Sequence, residues 1–168
     1  MKLDGIHWLE QQEPGFGNLQ DAEKSEILDF CMLWSYFEGH FLNEAATDNS
    51  IRRFVTKFER DDGFDNLKLD EFVEYFRNRY VLDGNFTDSY QGLHLERSPN
   101  FPEVNQMLLE LNSTAIQMLT GCLLIIYRFR NNLFHGGKWQ YNFHRQLNNF
   151  TCANRLLMKL IELSHPVN

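Results

Sequence analysis

Cysteine and proline are scarce in this chain of 168 residues, with three Cys and four Pro. Cys31, Cys122 and Cys152 are odd in number and show no Cys-x-x-Cys spacing. That argues against a disulfide framework and a zinc site, and fits a reduced cytosol. The longest apolar run, around Leu119–Tyr127, is far too short to cross a bilayer, so no membrane association is expected. The opening Met-Lys-Leu-Asp-Gly has no apolar signal core, and a cytoplasmic location is expected. No Gly-rich phosphate loop is present. Asp61 to Phe72 superficially suggests a calcium loop, but Asn66 stands where Gly is required and Phe72 where the terminal Glu belongs. No metal and no cofactor is expected.

Basic charge is also in short supply, with 16 Lys and Arg against 23 Asp and Glu. Its distribution matters more than its total. Residues 1–112 hold ten Lys/Arg against twenty-two Asp/Glu, whereas residues 113–168 hold six against Glu162 alone. Such a chain suits contact with a few phosphates at one place, not broad coating of a duplex.

Aromatics are plentiful, with fifteen Phe. They suit a core, and some could line a subunit interface. The length fits one domain. Pro14-Gly15 and Gly17-Asn18 mark residues 1–20 as an irregular arm. From there the apolar spacing is helical, and an all-α bundle of about four to five helices over residues 21–165 is expected. Asp21 is the expected N-cap of a helix over Ala22–Ala45, bearing Ile27, Phe30, Trp34, Phe37 and Phe41. A second helix is capped at Asn49 or Ser50, and a third covers Leu67–Leu82. A short strand or hairpin is expected around Phe86–Leu95. Pro102 opens a helix that bends at Asn112-Ser113 and runs to Leu133. A final helix covers Tyr141–Leu163, forming with its predecessor an antiparallel C-terminal hairpin.

The junction of that hairpin carries the chemistry. Residues 130–138 read Arg-Asn-Asn-Leu-Phe-His-Gly-Gly-Lys. An imidazole titrates near neutrality and can move a proton, while a guanidinium stays charged and can bridge two phosphate oxygens. RNA cleavage through the 2′-hydroxyl needs these two actions and no metal. His135 is therefore the candidate general acid/base and Arg130 the transition-state cation, with Asn131 orienting them. Lys138, Arg128 and Asn132 are candidate substrate contacts, with a structural cation as the alternative for Arg128. Glu38, alone in the apolar stretch of the first long helix, is either a partner that orients Arg130 or a solvated carboxylate on the helix's polar edge. The bland alternative is a capped helix end, with Arg130 in an ordinary salt bridge. On a continuous helix, residues five apart lie roughly 140° apart around the axis. His135 must therefore be brought round by the glycines, or the site must be completed by a second subunit.

The Arg-Asn-x-x-x-His pattern of Arg130 to His135 resembles the signature of HEPN domains, and the longer stretch through Lys138 looks like small stand-alone prokaryotic HEPN ribonucleases. The resemblance implies a HEPN-like bundle acting as a metal-independent endoribonuclease on RNA. It also implies a homodimer with a composite active site, in a toxin–antitoxin or anti-phage defence setting, with a cognate antitoxin or inhibitor as partner. Gly137 stands where many HEPN toxins paired with nucleotidyltransferase antitoxins have Tyr, so that particular partner is not inferred. The alternative within the same resemblance is a catalytically inactive HEPN domain that binds RNA, nucleotide or a protein.

Overall fold

A computed structural model describes residues 4–95, 101–134 and 146–164. The fold is all-α, with one two-stranded ribbon among the described residues. In chain order the helices are α1 (Gly5–Gln12), α2 (Pro14–Gly17), α3 (Asp21–Phe41), α4 (Asp48–Arg60), α5 (Leu69–Tyr80), α6 (Asp88–Gln91), α7 (Pro102–Leu109), α8 (Ala115–Phe134) and α9 (Leu147–Ser164). A 3-10 turn, Gly63–Asn66, joins α4 to α5. No described helix is long and apolar enough to cross a membrane.

The centre is α8. From Leu119 to Ile126 every side is buried, so this helix has neighbours all round rather than one apolar stripe. It lies chiefly against α7, α4 and α5. Gly121 permits the close approach of α7: a Cβ there would stand 2.9 Å from the Glu103 carbonyl oxygen and from Met107 Cβ. Arg52 on α4 reinforces this layer, donating to Glu103 at 2.7 Å and to Asp48 at 2.8 Å. On the other side α3 and α9 pack along each other. Asn154, buried on α9, donates to the Glu26 carbonyl at 2.9 Å. The two layers meet through aromatic contacts, with Phe150 5.1 Å from Phe30 and 6.3 Å from Phe129 between ring centroids. Nine of the described phenylalanines are buried in this single core.

Several boundaries differ from the sequence expectation, each for a local reason. The expected irregular arm is helical. Asp4 caps α1 by accepting from the Ile6 and His7 amides at 3.2 Å, and Pro14 opens α2 at its first turn. Phe16 is buried, and Lys24 pairs with Glu10 at 2.6 Å, which ties the arm to α3. Gly17 serves packing here, since a Cβ would lie 2.5 Å from the Glu10 carbonyl oxygen. Gln20, not Asp21, is the N-cap of α3, its amide donating to Glu23 at 3.0 Å. Thr47 caps α4 in reciprocal bonds with Ser50.

The ribbon lies earlier than expected, pairing Val81–Leu82 with Asn85–Phe86. Asp83 and Gly84 both take positive φ, as a two-residue hairpin turn requires. Asp88–Gln91 is helical, not strand. The helix expected to bend at Asn112-Ser113 is broken into α7 and α8. Ser113 Oγ donates to the Gln106 carbonyl at 3.0 Å, and Thr114 and Gln117 form a reciprocal cap for α8. The C-terminal hairpin is also built differently. The main neighbour of α9 is α3, and it meets α8 through side chains such as Phe129 and Phe150. Residues 141–145 of the expected last helix lie outside the described residues.

Candidate functional site

The last turns of α8 hold the described part of the motif. His135, Gly136, Gly137 and Lys138 lie outside the described residues, so the structure bears on Arg128, Arg130, Asn131, Asn132 and Glu38. Helical spacing sorts these into two sets. Arg128 and Asn132 are four apart and share a face. Both are buried, at 8% and 9% exposure. Arg128 Nε donates to the Leu93 carbonyl at 2.8 Å, and Asn132 Nδ2 donates to the Gly92 carbonyl at 3.0 Å. They pin the segment after α6 against α8. The expected role of both as substrate contacts is therefore corrected: inward-facing donors holding backbone carbonyls are structural groups.

Arg130 and Asn131 take the other side. Arg130 keeps 28% of its side chain exposed and lies 3.7 Å from Glu38 Oε2 through Nη2. Its Nη1 donates to Asn131 Oδ1 at 3.2 Å, and its guanidinium sits 5.4 Å from the ring centroid of Phe134. Arg130 Nε is buried with no hydrogen-bond partner among the described residues. A guanidinium carries five N–H donors, and the contacts here are long and few. Arg52 offers the contrast, gripping Glu103 at 2.7 and 3.1 Å and Asp48 at 2.8 Å.

Glu38 is held more firmly than the cation it faces. Its Oε2 accepts from the Trp34 indole N–H at 2.8 Å, and its Oε1 accepts from the Ala46 amide at 2.8 Å. Trp34 is buried and stacks 6.0 Å from Tyr127 of α8. The carboxylate is thus fixed by α3 and by the segment leading into α4, and presents a stationary negative charge to Arg130. Sequence pattern alone singled out Glu38. The supporting Trp34 and Ala46 were missed, since a core tryptophan and a backbone amide leave no distinctive mark in a sequence.

Among the described residues, positive charge around the motif is thinner than its density in the sequence implies. Arg155 and Lys159 on α9 both pair with Glu71 of α5, at 2.8 and 2.5 Å. The two hold the Glu71 carboxyl below its ordinary range, chiefly through the Lys159 hydrogen bond. With Arg128 turned inward, Arg130 is the one described Lys or Arg of residues 113–168 left in the open part of the site. Phe134 stands beside it at 56% exposure. Among the described residues no group of three His, Cys, Asp or Glu side chains is placed to hold a metal ion.

Compared with protein-family models, with curated proteins and with solved structures, the chain has no match.

Proposed function

We propose that the protein is a HEPN-type, metal-independent endoribonuclease that cleaves RNA by attack of the 2′-hydroxyl. The observation that carries this reading is the state of Arg130. It is partly exposed, held at 3.7 Å by a fixed carboxylate, and has an N–H without a partner among the described residues. A cation kept near its working position by a long ion pair can exchange that contact for phosphate oxygens at little cost in reorganisation. In this reading Arg130 binds the scissile phosphate and the charge that develops on the phosphorane, and Glu38 and Asn131 orient it.

His135 takes the proton from the 2′-hydroxyl or delivers one to the departing 5′-oxygen, and Lys138 adds a second phosphate contact. The exposed Phe134 ring beside Arg130 offers a stacking surface for a nucleobase, the usual means of holding single-stranded RNA. Two such sites facing one another in a homodimer would let acid and base come from different chains. The setting that goes with the resemblance is a prokaryotic toxin or anti-phage nuclease, with an antitoxin or inhibitor as regulator.

The test is cleavage of labelled single-stranded RNA in EDTA by wild type, Arg130→Ala and His135→Ala, with mass determined by light scattering. Cleavage by wild type alone, leaving 2′,3′-cyclic phosphate ends on a dimer, is the expected result. Equal cleavage by all three proteins would place the activity elsewhere. RNA binding without cleavage by folded wild type would favour the catalytically inactive binding domain.

A further inference from the structure

A recess of about 490 Å³ is formed where the C-terminal turns of α3 and α9 meet one side of α4, and none of the described motif residues lines it. Phe41, half-buried against Phe54, provides the apolar surface. Arg53 and Lys57, one helical turn apart on α4, provide two exposed cations. Neither makes an ion pair among the described residues, although acidic residues outnumber basic ones along the chain. Their neighbour Arg52, by contrast, is fully engaged by Glu103 and Asp48.

Asp61, the C-cap of α4 one turn beyond Lys57, also lines the recess, as does Ser164 of α9, whose Oγ is buried without a hydrogen-bond partner among the described residues. A buried hydroxyl left unpaired is uncommon and costs stability unless something meets it. Two unpaired cations select an anionic group. The aromatic surface selects a flat or apolar ring. The carboxylate and the free hydroxyl suit a ligand that also carries hydroxyl groups. The volume lies within the range of small-molecule sites.

We infer that this recess binds a small phosphorylated ring compound of nucleoside-monophosphate size, with its phosphate at Arg53 and Lys57 and its hydroxyls toward Asp61 and Ser164. The inference is independent of the ribonuclease reading. The two sites meet at the C-terminal end of α3 and the chain that follows it: His40, Phe41, Leu42 and Asn43 line the recess, while Glu38 and its partner Ala46 face the motif.

Titration calorimetry and thermal melting with adenosine and uridine 5′-monophosphates test it, with adenosine and inorganic phosphate as controls. Wild type and Arg130→Ala should both bind a monophosphate and melt at a higher temperature in its presence. Arg53→Ala with Lys57→Ala should weaken that binding at least about tenfold, as loss of charge-assisted contacts would. The charge-preserving pair Arg53→Lys with Lys57→Arg should restore most of it. Both positions are exposed, so circular dichroism should show all variants folded. No monophosphate binding by wild type at millimolar concentration would overturn the inference. So would equal binding by the alanine pair, or phosphate bound as tightly as the nucleotides. Loss of RNA cleavage in Arg130→Ala with nucleotide binding intact would separate the two sites.

Discussion

Arg128 and Arg130 stand two residues apart on one helix and have opposite fates. Arg128 turns inward and, with Asn132, holds the carbonyls of Leu93 and Gly92 at 2.8 and 3.0 Å. Arg130 turns toward Glu38 and makes only long contacts, with Nε unpartnered among the described residues. Two residues along a helix rotate a side chain by about 200°, which is enough to separate a structural cation from one available to a ligand. Membership of a motif is thus no measure of an arginine's role. What matters is how many of its donors are already committed.

The largest effect that could break this contrast is catalytic. Arg130→Ala should lower RNA cleavage by roughly a hundredfold or more, the usual loss for a charge-stabilising group, while the melting temperature changes little. Single-turnover cleavage and a melting curve on the same preparation decide it. A large fall in melting temperature with proportionate loss of activity would make Arg130 structural after all.

Arg128→Met should do the reverse. The Leu93 carbonyl loses its charged donor in a buried place, at a cost of roughly 2 kcal/mol, readable from urea unfolding. Cleavage by the fraction that remains folded should stay within a few-fold of wild type. Asn132→Ala should follow at about 1 kcal/mol by the same logic, with Asn131→Ala nearer to neutral.

Glu38→Gln tests the orienting charge. A neutral amide keeps the size but removes the attraction for Arg130, so kcat should fall about three- to tenfold with KM nearly unchanged. A change confined to KM would assign Glu38 to RNA binding instead of positioning.

The smallest effect is a control far from the motif. Burial works to raise the Glu103 carboxyl and its hydrogen bond from Arg52 works to lower it; the net position is below the ordinary 4.5. A depressed folded-state value contributes stability that is present above about pH 4.5 and lost as pH falls through the lower value. Glu103→Gln should therefore flatten the acid limb of stability against pH, followed by urea midpoints between pH 3 and pH 6. An unchanged limb would show that the Arg52 pair is not felt in solution.

How much of this was legible beforehand depends on the range of the forces involved. The helical spacing of Ile51, Phe54, Val55 and Phe58 announced α4, because an amphipathic period is written in the residues themselves. The arm was misread since Pro14, Gly15 and Gly17 look like breakers. Only the packed position of Phe16 and the close approach of Gly17 to Glu10 show them inside helices. The long helix expected from Pro102 was split by Ser113, Thr114 and Gln117, whose side chains bond the backbone locally and could have signalled the cap. At the site, the pairing of Glu38 with Arg130 and a structural place for Arg128 were each one of two readings the residues allow, whereas the inward turn of Asn132 had no local sign. The partners of Arg128 and Asn132 are carbonyls some 35 to 40 residues away, which no local pattern encodes.

Period and composition are enough to dictate the all-α class, the core positions of the long helices and the uneven spread of charge, because both act over a few residues. Tertiary structure decided which of two neighbouring arginines is spent on the fold, which carboxylate faces the other, and that the Arg155 and Lys159 charges are absorbed by Glu71. Those outcomes depend on where distant carbonyls and carboxylates arrive when the helices pack, and only the packed chain brings them together.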